Sequence, residues 1–188
     1  MGKLKEAGSY MILRQWERIT QILKNGDTGP WQAIFGGEHT SQPTLGKIGD
    51  GDTIYPISVN QGNLWLLGRM TISHVVDPNP WIEKMTGIDP KGIMWDTYWD
   101  AHKKTVTHLI PITCVNAAAL TDNGTPIGRW LVPPDTVARL RLGPAGKEQP
   151  IKTNDGKVAS VSLQGHFRRL TPSSVALLDD VLSTGDPS

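Results

Sequence analysis

The chain has one cysteine, almost no net charge and no long hydrophobic run. Cys114 stands alone among 188 residues, which excludes an internal disulfide, and its apolar neighbours predict a buried thiol rather than a nucleophile. The formal net charge is only +1, so the chain as a whole has no general attraction for polyanions. No segment has the apolar length of a membrane span or a signal peptide. We therefore expect a cytoplasmic protein that does not contact membranes.

Sequence motifs of several enzyme classes are also missing. The chain has no GxxxxGK[S/T] phosphate loop, no GxGxxG dinucleotide fingerprint and no GxSxG nucleophile elbow. Its histidines, at positions 39, 74, 102, 108 and 166, show no metal-ligand spacing. We therefore predict no metal, no cofactor and no catalytic residue.

The composition is that of a globular domain rich in turns. Hydrophobic residues make up 38% of the chain and charged residues 20%, while glycine and proline number 20 and 14. A chain of this length can bury one substantial core. We expect residues 1–10 to be a disordered tail or tag, and residues 11–188 to form a single domain with an insertion at about 77–104.

Hydrophobic periodicity predicts helices that alternate with short strands. Three- and four-residue apolar spacing predicts helices at 12–23, near Val137 and Leu140, and at 171–182, where Thr171 caps the helix and Pro172 takes its first position. Residues 117–126 are predicted to form a connection that contains a turn. Strands are predicted at 31–35, 105–114, 130–132 and 159–163. Residues 53–59 and 64–76 are predicted to form a hairpin whose turn is Asn60–Asn63. This order predicts the α+β class, as a small mixed β-barrel with helices packed at its ends.

Charge is distributed unevenly along the chain. From position 129 to 169, eight Lys and Arg residues stand against three Asp and Glu residues, a local excess of five positive charges. Residues 77–100 carry a local negative charge, with five acidic residues against two lysines. A basic region of this kind suits a phosphate backbone, although solvated surfaces of mixed charge produce the same pattern.

Residues 31–69 combine aromatic, glycine-rich and polar loop sequence with a hairpin. Trp31 and Phe35 precede the loop, which then carries Glu38 and His39, and the turn 49–52 opens the strand that contains Tyr55. Such a loop against a sheet predicts a shallow pocket for a flat ligand. Glu38 and His39 are adjacent on an extended segment and point in different directions, so they form a poor acid–base pair.

Three segments resemble the PUA-like superfamily, and within it the EVE and YTH-type readers of modified bases. The first is Trp31 with the later run KIGDGDTIY at 47–55; the second is LGRMTI at 67–72, followed by the proline-rich, acidic DPNP at 77–80; the third is 161–182, with FRRL before the capped helix. Together these segments cover most of residues 31–182. The sequence FGGE at 35–38 departs from EVE domains, which more often carry an Arg-, Asn- and Gln-rich loop there.

The resemblance implies a non-catalytic module that holds a single-stranded or flipped base in an aromatic pocket. Stacking on an aromatic side chain and a few fixed polar groups would recognise such a base. The candidate ligand-binding residues are Trp31, Phe35, Gly36, Glu38, His39, Thr40, Ser41 and Tyr55. The candidate contacts to the nucleic-acid backbone are Lys47, Arg69, Arg168 and Arg169.

Two other functions stay open at this stage. ASCH-type relatives in the same superfamily include enzymes that act on RNA or on modified nucleosides, but they use a GxKxxTxR segment. Here Gly46 and Lys47 begin that pattern, while Asp50 and Asp52 replace its threonine and arginine. The third possibility is a protein-interaction module or homodimer formed through residues 95–99, since Trp95 and Trp99 belong to an aromatic cluster of the kind that interfaces favour.

Overall fold

The computed structural model describes residues 6–24, 26, 29–37, 45, 48–76, 115–164 and 167–187. Within these ranges the chain is mixed α+β, with many short strands and few helices. The helices are α1 (Trp16–Lys24), α2 (Pro134–Arg139) and α3 (Pro172–Thr184), and a 3₁₀ turn spans Ser160–Leu163. The strands are β1 (Ser9–Leu13), β2 (Ala33–Gly37), β3 (Thr53–Asn60), β4 (Asn63–Leu66), β5 (Met70–Thr71), β6 (His74–Val76), β7 (Val115–Leu120), β8 (Asn123–Gly124), β9 (Trp130–Leu131), β10 (Arg141–Leu142), β11 (Gln149–Pro150), β12 (Thr153–Asn154), β13 (Lys157–Val158) and β14 (Arg168–Arg169).

The largest sheet has β1 and β3 at its centre. Its main strand order is β14-β1-β3-β4-β9, and β5 and β8 extend it beside the first half of β3. Strands β1 and β3 run parallel, whereas the other pairs are antiparallel. A second sheet has the order β2-β7-β6, and β10–β11 and β12–β13 form separate hairpins. The α+β class is therefore confirmed, but over the described residues these sheets do not close into a barrel.

The central sheet separates two hydrophobic cores. Side chains alternate between the faces of a strand, and accordingly Ile54 packs in the first core while Tyr55 packs in the second. Strand β1 behaves in the same way, since Ile12 enters the first core and Met11 the second. Helix α1 covers the first core through residues such as Ile19, and α3 covers the second.

Local turn and cap signals were predicted correctly. Strands β3 and β4 form the expected hairpin, with Gln61 and Gly62 at positive φ in its turn. Thr171 caps α3, because its hydroxyl accepts a hydrogen bond from the Ser174 amide at 3.2 Å. The short strand at 130–132 and the helix near Val137 are confirmed as β9 and α2.

The start of the chain differs from the prediction. The helix expected over 12–23 begins at Trp16, because residues 9–13 form β1 instead. The tail expected over 1–10 is likewise too long, since Ser9 and Tyr10 belong to this strand and Tyr10 is buried. Pairing on both edges, with β3 and with β14, outweighs the helical apolar spacing of this segment.

Three other predictions also need correction. The connection expected over 117–126 contains β7, which lies between β2 and β6 and gains strand pairing on both sides. The strand expected over 159–163 is a 3₁₀ turn. The strand expected over 64–76 is divided into β4, β5 and β6, with Gly68 at a φ of 133° after β4. The predicted insertion at 77–104 and strand at 105–114 lie outside the described residues.

Candidate functional site

Trp31 is a core residue in the structure. Its side chain is 0% exposed and belongs to the first core, and its indole Nε1 donates a hydrogen bond to the Leu67 carbonyl at 3.0 Å. The neighbouring chain fits closely around it: a Cβ added to Gly68 would lie 2.9 Å from the indole. Trp31 therefore has no face available for stacking on a ligand.

Tyr55 is also enclosed, but in the other core. The residue is 1% exposed, and its hydroxyl donates a hydrogen bond to Asp179 Oδ1 at 2.9 Å. Burial, together with the neighbouring Asp179 carboxylate, raises the pKa of this hydroxyl. Because Trp31 and Tyr55 pack in cores on opposite faces of the sheet, the expectation that they line one pocket is wrong.

Arg69 is held by an ion pair. Its Nη1 atom lies 2.9 Å from Asp179 Oδ1, the oxygen that also accepts from Tyr55, and the two side chains are 42% and 38% exposed. This guanidinium therefore joins the chain after β4 to α3. It already has a carboxylate partner where we expected a phosphate contact.

The other expected ligand-binding residues cannot be placed in a pocket. Phe35 and Gly36 lie in β2, opposite Ala118 and Ala117 of β7. Glu38, His39, Thr40, Ser41 and Lys47 lie outside the described residues, as do Trp95 and Trp99.

Two of the expected backbone contacts, Arg168 and Arg169, line a cleft that we call the basic cleft. It has a volume of about 580 Å³ and lies between the β10–β11 hairpin, the 3₁₀ turn and β14. Its lining residues are Tyr10, Leu142, Gly143, Pro144, Lys147, Gln149, Pro150, Ile151, Lys152, Ser162, Leu163, Phe167, Arg168 and Arg169. Four of these are cations and none is Asp or Glu. The cleft therefore offers a concentrated positive potential on a chain whose net charge is close to zero.

Backbone pairing brings the two sides of the cleft together. Leu142 forms a β-bridge with Leu170, and the Gly143 amide donates a hydrogen bond to the Arg169 carbonyl at 2.8 Å. Gly143 has a φ of 122°, which starts the tight loop that leads to Lys147. These contacts bring the hairpin that carries Lys147 next to Arg168 and Arg169.

Arg168 is the most constrained of the four cations. Its Nη2 atom donates a hydrogen bond to the Ser162 carbonyl at 2.6 Å, which ties the guanidinium to the 3₁₀ turn. Its Nε atom is buried and has no hydrogen-bond partner among the described residues. On the other strand, Arg168 is opposite Met11 of β1. The side chain is thus held in place at the cleft before any ligand arrives.

Glu148 is the carboxylate nearest in sequence to the lysines of the cleft, and it is engaged locally. Its Oε1 atom accepts a hydrogen bond from the Gly146 amide at 2.9 Å. Hydrogen bonds from its own backbone amide and from that of Gly146 lower the pKa of this carboxyl. Its charge is therefore directed at the loop backbone and does not line the cleft.

Two aromatic rings contribute to the cleft. Tyr10 of β1 and Phe167, just before β14, meet edge to face, with ring centroids 6.4 Å apart and an interplanar angle of 88°. Tyr10 is buried, whereas Phe167 is partly exposed. Phe167 is thus the aromatic side chain of the described lining that offers surface to a ligand.

A second aromatic cluster lies at the β4 and β9 edge of the large sheet. The rings of Trp16 and Trp65 are 5.4 Å apart, and Arg129 lies 4.9 Å from the Trp16 ring centroid. Leu131, which is paired with Trp65, is exposed beside them. This cluster presents one cation, compared with four at the basic cleft.

Of the six charged and aromatic residues that line the basic cleft, the sequence-based prediction missed four: Tyr10, Lys147, Lys152 and Phe167. The two lysines were part of the charge excess over 129–169, so the composition did contain a signal for them. Their proximity to Arg168 depends on the β10–β11 hairpin, which was not predicted. The predicted tail over residues 1–10 leaves no site role for Tyr10, which the structure places in β1.

Comparisons of this chain with protein-family models, with curated proteins and with solved structures found no match. Within the described ranges, no group of three or more His, Cys, Asp or Glu residues is arranged to hold a metal ion. No helix in those ranges has both the length and the apolar character needed to span a bilayer. The basic cleft is therefore the candidate functional site of the described residues.

Proposed function

We propose that this protein is a nucleic-acid-binding module whose basic cleft contacts the phosphate backbone. The observation that supports the proposal is the group of four cations, Lys147, Lys152, Arg168 and Arg169, around one cleft without a carboxylate among its described lining residues. Backbone phosphates are recognised by clustered Lys and Arg side chains, and release of their counterions drives binding.

The arrangement of these cations favours a polyanion over a single small anion. Lys147 lies in the β10–β11 hairpin and Lys152 follows that hairpin, whereas Arg168 and Arg169 form β14. Cations from separate segments of the chain around one cleft can contact successive phosphates of an elongated ligand. Arg168, already fixed by Ser162, loses less side-chain entropy on binding than a free arginine would.

The PUA-like barrel inferred from sequence resemblance is part of this proposal. The mixed sheet with a parallel β1–β3 pair and a helix over each face supports it as far as the described chain extends. The proposal moves the nucleic-acid contact from the Trp31 region to the cleft beside β14. An experimental structure that includes residues 38–44 and 77–114 would test whether further strands close a barrel.

The test of nucleic-acid binding is a charge-matched pair of double variants. Lys147→Gln/Lys152→Gln removes two charges from the cleft. Arg139→Gln/Lys157→Gln removes two exposed charges that do not line it. Fluorescence anisotropy with a labelled oligonucleotide, measured from about 50 to about 200 mM salt, reports phosphate contacts through the slope of log K against log salt concentration.

We expect the cleft variant to bind more weakly and with a shallower salt slope, by roughly 1.5 for two lost phosphate contacts. The control variant should keep both the affinity and the slope of the wild type. Equal losses in the two variants would indicate non-specific electrostatics. Wild-type binding that does not depend on salt would contradict the proposal.

A further inference from the structure

Phe167 lies among the cations of the basic cleft as a partly exposed aromatic ring. Arg168 follows Phe167 directly in sequence. The other aromatic residue of the lining, Tyr10, is buried, and its ring is perpendicular to the ring of Phe167. The perpendicular contact with Tyr10 supports Phe167 from inside the protein. A supported aromatic ring beside cations is the combination with which proteins hold an unpaired base and its phosphates.

The cleft has the volume of a small-ligand site. Its volume of about 580 Å³ falls in the range of pockets that enclose small ligands. In a duplex, the faces of the bases are already stacked on their neighbours and are not available to a protein side chain. A base that contacts Phe167 must therefore be unpaired.

We propose that the basic cleft seats one unpaired base against Phe167 while Lys147, Lys152, Arg168 and Arg169 contact the phosphates on either side. This inference rests on the proposed nucleic-acid binding and narrows its ligand to single-stranded nucleic acid. Pro144 and Pro150 add apolar surface to the lining of the same cleft.

The experiment compares three ligands of equal length: a single strand, the corresponding duplex, and a single strand whose bases are replaced by abasic sites. Each is made as DNA and as RNA, and binding is measured with wild type, Phe167→Leu and Phe167→Tyr. The leucine variant keeps apolar bulk but removes the stacking face, and the tyrosine variant restores it. The abasic strand keeps the phosphates and so reports the cations alone.

We expect the wild type to prefer the single strand over both the duplex and the abasic strand. Phe167→Leu should lose about 5- to 150-fold in affinity for the single strand, with little change for the abasic strand, and Phe167→Tyr should bind like the wild type. The inference is overturned if the duplex binds as tightly as the single strand. It is also overturned if Phe167→Leu weakens binding of the normal single strand and of the abasic strand equally. In either case the proposed phosphate binding stands. If the wild type binds none of the ligands, the proposed function itself fails.

A measurement on the wild type keeps the inference testable even if Phe167→Leu does not fold. A single strand that contains 5-iodouridine, irradiated in complex with the protein, crosslinks to aromatic side chains in contact with the base. Mass spectrometry should locate the crosslink at Phe167. Crosslinks confined to other tryptic peptides would overturn the inference.

Discussion

The side-chain hydroxyl of Tyr55 donates a hydrogen bond to Asp179 Oδ1 over 2.9 Å, although 124 positions separate the two residues in sequence. The same oxygen accepts a hydrogen bond from Arg69 Nη1 at 2.9 Å. One carboxylate of α3 therefore holds two donors, one from the central strand β3 and one from the chain after β4. This contact fixes the middle of α3 over the second core.

Removing the Tyr55 hydroxyl should lower stability modestly. In Tyr55→Phe the ring still fills the core, and Asp179 keeps Arg69 and contact with water, so no buried group is left without a partner. We expect the free energy of unfolding to fall by about 1 kcal/mol, measured by urea denaturation. Asp180→Asn, at the next and exposed position of α3, is the control and should change it by less than about 0.5 kcal/mol.

The raised pKa of Tyr55 predicts a loss of stability in alkaline solution. The folded protein binds the phenolic proton more tightly than the unfolded chain, whose tyrosine titrates near pH 10.0. This contribution is fully present below pH 10 and is lost as the pH rises towards the folded-state pKa. Above pH 10 the wild type should lose unfolding free energy faster than Tyr55→Phe, by up to about 1.4 kcal/mol per pH unit. Parallel pH profiles of the two proteins would contradict this explanation.

Trp31 should matter for stability and not for ligand affinity. Trp31→Phe leaves a gap in the first core and removes the donor to the Leu67 carbonyl. We expect a loss of roughly 2–4 kcal/mol in unfolding free energy. The folded fraction should bind oligonucleotides with unchanged affinity, measured well below the melting temperature. A selective loss of affinity without destabilisation would instead return Trp31 to the ligand site.

Gly68 should tolerate no side chain. Its φ is 133°, and an added Cβ would lie 2.7 Å from Thr125 Oγ1 and 2.9 Å from the indole of Trp31. Gly68→Ala should therefore destabilise the protein by at least about 2 kcal/mol through backbone strain and crowding of the core. Gly49→Ala, where a Cβ meets open space, is the matched control in thermal unfolding and should be close to neutral. Similar melting temperatures for the two variants would contradict the close packing around Trp31.

The parts of the fold that were predictable depend on neighbours in sequence. Thr171 and Pro172 define the start of α3 through a cap and a preset φ, and neither needs the rest of the protein. The β3–β4 turn is likewise predictable from local sequence, because Gly62 readily adopts the positive φ that the turn requires. Residues 9–13 were mispredicted because their strand exists only through pairing with β3 and β14.

In the candidate site too, features that depend on neighbours in sequence were predictable, and features that depend on tertiary pairing were not. The basic character of 129–169 and the pair Arg168 and Arg169 are evident as composition, whereas Trp31 and Tyr55, which the sequence predicts in one pocket, lie in separate cores. Each of these aromatic residues stands near polar loop sequence, which favours the prediction that it lines a pocket. Which face of the sheet each one occupies depends on strand register, and a shift of one residue exchanges the faces.

The sequence by itself determined the α+β class, the capped C-terminal helix, the hairpin and the uneven distribution of charge, because each depends on residues close together in the chain. The tertiary structure alone decided that Trp31 and Tyr55 lie in separate cores. It also decided that Lys147 and Lys152 lie beside Arg168 and Phe167. The physical reason is that the backbone pairing of Leu142 with Leu170 and of Gly143 with Arg169 creates the cleft. Contacts between such distant segments leave no local pattern in the sequence.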